Sequence, residues 1–111
     1  DVESKHLEFD QAEFGAVGLE TAFAVANTFN EGQLSLEELI KKFTDAPRNL
    51  LRLPTPVLAE GQPACLTVFD PDLPWTPTET NLRSRAKNSP FLGVELRGRA
   101  LAVVNKGRVE V

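Results

Sequence analysis

The sequence predicts a mixed α/β fold, helical before about residue 57 and stranded after it. Two observations carry that prediction. In the first half, apolar residues recur at three- and four-residue spacing, the period of a helix. In the second half they alternate between stretches rich in proline, glycine and aspartate, the pattern of strands and turns. A third observation bears on completeness: one helix is apolar on every side, and the strands are too few for a stable sheet of their own. Two readings stay open at this point, a compact α+β domain that solves both problems internally and one piece of a larger fold.

Residues 1–13 (DVESKHLEFDQAE) are polar and acidic with little periodicity, and read as a loop. From Val17 to Phe29 (VGLETAFAVANTF), Glu20 is the only formal charge. Leu19, Phe23 and Ala26 occupy one side and Val17, Ala24 and Val25 another, so the helix expected there is of the buried kind. Asn30-Glu31-Gly32 closes it, with Gly32 suited to a left-handed C-cap. Ser35-Leu36-Glu37-Glu38 fits a capping box, in which Ser35 accepts from the Glu38 amide and Glu38 reaches back. Leu36, Leu39, Ile40 and Phe43 then give one amphipathic face, and Lys41 and Lys42 suit the negative end of the helix dipole. Pro47 opens a third short helix with Leu50, Leu51 and Leu53 as its apolar members, and Pro54 ends it. Pro54 and Pro56 read as a linker.

In the second half, residues 64–70 (ACLTVFD) alternate as a strand. Leu66 and Val68 point one way; Cys65, Thr67 and Phe69 point the other. Asp70-Pro71-Asp72 and the prolines at 74 and 77 bound a turn-rich stretch around Trp75. Residues 99–104 pair with 108–111 across Asn105-Lys106-Gly107, with Gly107 at the positive-φ position.

At 111 residues the chain has the length of one ordinary domain. Its 41% hydrophobic and 25% charged residues fit a soluble globular protein and exclude a disordered, collagen-like or disulfide-built chain. No apolar run approaches the roughly 20 residues of a membrane helix, and no basic-then-apolar leader opens the chain, so no membrane is expected. The single Cys65 has no partner for an internal disulfide, which points to a reducing, cytoplasmic compartment. A net charge of −4 argues against nucleic acid as a partner, because phosphate neutralisation needs clustered positive charge. With one histidine and one cysteine, these residues do not build a His- or Cys-based zinc site.

Several clusters bear on chemistry. Glu3, Glu8, Asp10, Glu13 and Glu20 crowd the first twenty residues, and paired carboxylates serve acid–base chemistry or divalent cations. Without EF-hand spacing they read as a solvated acidic loop. His6 lies in that loop with no Ser or Cys at an informative spacing, and reads as a surface histidine. Arg83, Arg85, Lys87, Arg97, Arg99, Lys106 and Arg108 make the last third basic. Lacking interleaved aromatics, they read as the polar face of a sheet and its loops. Cys65, inside a strand, reads as a small core residue. Phe14-Gly15, with Gly18 soon after, stands just ahead of the apolar helix. It either presents backbone amides to an anion at a helix N-terminus or supplies plain turn glycines.

Read together, these pieces resemble one family. Glu3-Ser4-Lys5, then Ala12-Glu13-Phe14-Gly15-Ala16-Val17-Gly18-Leu19-Glu20-Thr21-Ala22, resembles the glycine-rich stretch of dihydroorotases of the multifunctional-complex type. Asp45-Ala46-Pro47-Arg48 is similar to the family's Asn-Pro-Ala-Arg helix start. Lys87-Asn88-Ser89-Pro90-Phe91-Leu92-Gly93, followed by Leu96-Arg97-Gly98, is similar to its near-terminal Lys-Asn-Thr-Pro-Phe segment. Leu66–Asp70 resembles a strand common to many amidohydrolases. The resemblance covers the whole chain.

It implies a metal-dependent-hydrolase (β/α)8 barrel with a composite β-sandwich. Residues 1–57 would be the final loop and helices of the barrel, and 58–111 the C-terminal share of the sandwich. The implied reaction is the zinc-dependent, reversible cyclisation of N-carbamoyl-L-aspartate to dihydroorotate in pyrimidine biosynthesis. Zinc ligands and the catalytic aspartate lie upstream of the glycine-rich stretch in that family, so no catalytic or metal residue is assigned in this chain. Phe14 and Gly15 would bind substrate, mainly through backbone groups. Many relatives carry proline before that pair, where this chain has Glu13. The implied partners are the remainder of the same chain, a second copy in a homodimer, and aspartate transcarbamoylase. Two alternatives remain: a non-catalytic dihydroorotase-like scaffold for that transcarbamoylase, and another cyclic amidohydrolase such as allantoinase or dihydropyrimidinase.

Overall fold

A computed structural model describes residues 6–8, 10–12 and 14–111. Among them run helices α1 (Ala22–Thr28), α2 (Leu36–Phe43) and α3 (Asp45–Leu50), then strands β1 (Cys65–Trp75), β2 (Leu96–Asn105) and β3 (Arg108–Glu110). The order of helices then strands follows the sequence pattern. Their limits shift for local reasons.

The helix expected over 17–29 is shorter, because residues ahead of Ala22 form a turn. Both the amide and the hydroxyl of Thr21 donate to the Gly18 carbonyl, at 3.1 and 3.2 Å, which closes that turn before the helix begins. After Phe29 the chain turns at Glu31 and Gly32, both left-handed, and the Asn30 side chain clamps the Leu34 backbone through both amide atoms. The capping box of α2 forms as expected, with the Ser35 hydroxyl accepting from the Glu38 amide at 3.3 Å. α3 starts at Asp45, two residues before Pro47, which sits within the first turn where its missing N–H costs nothing.

The sheet has the order β1-β2-β3, antiparallel throughout. β2 and β3 join through the two-residue turn Lys106-Gly107, with φ of +49° and +75°, the geometry whose twist matches a tight hairpin. Asn105 itself pairs with Arg108, so the connection is one residue shorter than expected. The expected turn-rich stretch after Asp70 is instead strand as far as Trp75. Pairing slips twice without ending. Leu101 is extra between Val68↔Ala102 and Phe69↔Ala100, and residues 71–73 stand opposite Gly98 alone. Prolines at 71 and 74 are tolerated because β1 is an edge strand and needs no second ladder.

α1 closes over the second slip. The Asn27 amide nitrogen donates to the carbonyls of Pro71 at 2.8 Å and Arg97 at 3.1 Å, replacing the ladder bonds that the slip removes. Thr28 Oγ1 accepts from the Arg97 amide at 2.7 Å and donates to the Ala24 carbonyl. Phe23 meets Phe43 and Phe69 edge to face, with ring centres 6.0 and 5.2 Å apart.

Little else is covered. The buried hydrophobics among the described residues are Ala24, Leu39, Leu82 and Leu96. The radius of gyration is 16.6 Å, against about 13 Å for a compact domain of this length. The accessible surface is 8813 Å², against about 6,100 Å² for a folded monomer of this mass. Leu19, Leu50 and Leu58 are each more than four-fifths exposed. The compact, self-contained reading therefore fails: α1 is buried or half-buried against the sheet, but large apolar side chains on either side of it, Leu19, Leu50 and Leu58, stay bare among the described residues.

Candidate functional site

Phe14 and Gly15 lie outside any helix or strand, separated from α1 by the Gly18–Thr21 turn. The expected position at a helix N-terminus does not hold. What the structure presents is an open loop. Phe14 is 94% exposed, and Gly15 adopts φ +99°, a conformation that L side chains resist. A Cβ built on Gly15 would meet nothing within 4 Å among the described residues, so against these glycine is needed there for its backbone angle alone.

The Gly15 carbonyl accepts from Asn88 Nδ2 at 3.2 Å. Across a trans peptide the carbonyl and the following N–H point to opposite sides. Holding the carbonyl on Asn88 therefore turns the Ala16 N–H away from the strap that carries Asn88. Among the described residues, no acceptor takes the N–H of Phe14, Gly15, Ala16 or Val17. Exposed amides beside an aromatic ring can receive a carboxylate or a carbonyl oxygen, and can do no proton transfer themselves.

The loop is held from behind by residues 76–93. Both oxygens of the Glu20 carboxylate accept from this strap, from the amides of Arg83 and Ser84 at 2.8 and 2.7 Å. Lys87 Nζ donates to the Leu82 carbonyl, and the buried Ser89 accepts from the Phe91 amide through its hydroxyl. The Gly93 amide closes the strap on the Pro77 carbonyl at 2.9 Å. Glu20 is thus a backbone anchor and not a member of a solvated acidic loop. Its sequence signal was its isolation, as the one charge in the apolar stretch 17–29. Asn88 stood in the Lys87–Gly93 segment of the resemblance, but nothing in the sequence tied it to Gly15, 73 residues away.

Of the other carboxylates, Glu8 and Asp10 are exposed, while Glu3 and Glu13, with the Glu3-Ser4-Lys5 element, lie outside the described residues. His6 is exposed. Cys65 is exposed as well, and does not sit in a core as expected, because none of the described residues covers the start of β1. Arg99 stacks its guanidinium 5.4 Å from the centre of the Trp75 ring. Among the described residues, no three His, Cys, Asp or Glu stand close enough to hold a metal ion. None of the described helices is long and apolar enough to cross a membrane.

No family model matches the chain. Curated relatives do. The chain is 40% identical over 109 residues to a dihydroorotase of Trichlorobacter lovleyi, covering 97% of this chain and 26% of that protein. It is 38% identical over 106 residues to a dihydroorotase of Syntrophus aciditrophicus, covering 95% of this chain and 25% of that protein. A dihydroorotase of Chlorobaculum tepidum is 35% identical over 102 residues, 90% of this chain and 23% of its own length. The chain thus spans about a quarter of these relatives, at their C-terminal end. Among solved structures it is similar to the L-hydantoinase (dihydropyrimidinase) of Arthrobacter aurescens, with a TM-score of 0.77 and 31% identity, over 92% of this chain and 24% of that one.

Proposed function

Because this chain is homologous over nearly its whole length to the C-terminal quarter of the dihydroorotases, we propose that it is the corresponding part of a cyclic amide hydrolase. The intact protein would interconvert N-carbamoyl-L-aspartate and dihydroorotate in pyrimidine biosynthesis. Residues 1–57 supply the final loop and helices of a (β/α)8 barrel, and 58–111 the C-terminal share of a β-sandwich. Zinc is held by residues outside this chain, and the described residues offer it no site.

The observation that carries the reading is the open Phe14-Gly15 loop. Among the described residues none accepts from its amides, and the Asn88 bond to the Gly15 carbonyl leaves the Ala16 N–H on the opposite side of that peptide. Backbone donors at that point suit a substrate rich in carboxylate and amide oxygens. The remainder of the same chain is the first partner. The surface in excess of a compact monomer, about 2,700 Å², falls in the range of obligate interfaces. A homodimer, an association with aspartate transcarbamoylase and a cytoplasmic location complete the proposal.

A valine at Gly15 tests it in the intact protein. Gly15→Val should raise KM for dihydroorotate at least about tenfold, or abolish activity, with bound metal unchanged, because the branched side chain opposes φ +99° and crowds the amides. Wild-type activity per folded molecule would remove Phe14-Gly15 from substrate binding. A second reading, hydrolysis of a hydantoin or dihydropyrimidine ring, draws on the likeness to the L-hydantoinase. Turnover of dihydrouracil or a hydantoin in preference to dihydroorotate would establish it.

A further inference from the structure

The geometry assigns Asn88 as a positioning residue that aims the glycine-rich loop at the substrate; this rests on Phe14-Gly15 being the substrate contact. Asn88 is the described side chain that touches that loop's backbone, through Nδ2 to the Gly15 carbonyl at 3.2 Å. The bond falls on the peptide with the most freedom in the segment, since Gly15 alone there adopts positive φ. Rotating that peptide swaps the sides on which its carbonyl and the Ala16 N–H lie. A donor on the carbonyl selects one of the two. With it, a donor faces outward; without it, a carbonyl oxygen can take that place and repel an anionic substrate.

Asn88 is itself well placed for this task. It is half-buried, next to the buried Ser89. Its strap is fastened four and five residues earlier to the same glycine-rich segment by the two Glu20 bonds. The two contacts have different consequences. Glu20 sets where the strap lies, and Asn88 sets which way one peptide faces.

The test uses the intact protein and three variants at the one site. Asn88→Asp keeps the shape and removes the donor, Asn88→Ala removes both, and Asn88→Gln restores a donor on a longer arm. Asn88→Asp and Asn88→Ala should raise KM for dihydroorotate roughly three- to tenfold, the range to which one ordinary hydrogen bond converts. The value of kcat should stay within about twofold, with bound metal and melting temperature unchanged, and Asn88→Gln should recover part of the loss. In the Gly15→Val background, Asn88→Ala should add nothing further, because the peptide it orients is already displaced. Unchanged KM in Asn88→Asp and Asn88→Ala, with Gly15→Val still impaired, overturns the role of Asn88 and leaves the loop assignment standing. Unchanged KM in all of them removes the loop assignment and the inference with it.

Discussion

Replacing Gly98 by alanine probes the joint between α1 and the sheet. Gly98 lies at φ +101° on β2, opposite the slipped residues of β1. A Cβ there would stand 2.8 Å from Phe23 Cε1 and 3.2 Å from Asn27 Nδ2. The Phe23 ring cannot simply retreat, because Phe43 and Phe69 meet it edge-on. The backbone is pinned too, since Trp75 Nε1 donates to the Gly98 carbonyl at 3.0 Å. The unfavourable backbone angle costs an alanine about 1–2 kcal/mol, and forcing in the methyl about 1–3 kcal/mol more. A loss of about 2–5 kcal/mol is therefore expected. Gly107→Ala supplies the control: its φ is +75°, and nothing lies within 4 Å of its Cβ, so only the backbone cost applies. Amide hydrogen exchange of residues 96–104 and 22–28 in the intact protein reads the local opening free energy directly. Phe23→Leu should relieve part of the Gly98→Ala cost, a coupling of about 1 kcal/mol or more. The reasoning is refuted if Gly98→Ala costs no more than Gly107→Ala, or if Phe23→Leu leaves its cost unchanged.

Three further outcomes are expected. Glu20→Ala strips the Arg83 and Ser84 amides of their acceptor and should speed exchange in residues 82–89, a loss of about 1 kcal/mol given how exposed these bonds are. Ser35→Ala should cost about 1 kcal/mol at neutral pH by removing the cap of α2. The Ser35 bonds hold the Glu38 carboxyl below its usual range, so its contribution is present above the ordinary glutamate pKa and fades as pH falls through the lowered value. Denaturation of wild type and Ser35→Ala at neutral and acid pH should thus show a gap that narrows in acid; a constant gap would contradict the reciprocal bond. Expressed alone, residues 1–111 should bind a hydrophobic dye, because Phe14, Leu19, Leu50 and Leu58 stay uncovered. A sharp, cooperative melt of that monomer without dye binding would count against the larger-fold reading.

Local physics made some of this molecule legible from residue order. The α2 capping box joins groups three residues apart, and the β2–β3 turn needs only Lys106 and Gly107 in the left-handed region, so neighbours in the chain decide both. An excess of apolar surface was also foreseeable, but not its place: α1 is half-buried against the sheet, and apart from Leu19 the barest leucines, Leu50 and Leu58, lie beyond the helix expected to be uncovered. The start of α1 was misplaced because a side chain at Thr21 competes with the helix for the Gly18 carbonyl, which periodicity does not register. The extent of β1 was misjudged because proline was read as a stop, whereas an edge strand that slips its register can carry it. The site divides in the same way. Phe14 and Gly15 were named through the resemblance to the dihydroorotases, and residue order alone left an anion site and plain turn glycines both open; the positive φ of Gly15 is a property of the local backbone. Tertiary structure alone placed Glu20 on the amides of Arg83 and Ser84, Asn27 across the break between β1 and β2, and Asn88 on Gly15. Each of these bonds spans at least 44 residues. A polar side chain looks the same in sequence whether it meets water or a distant backbone group, and only the folded path of the chain brings that group within reach.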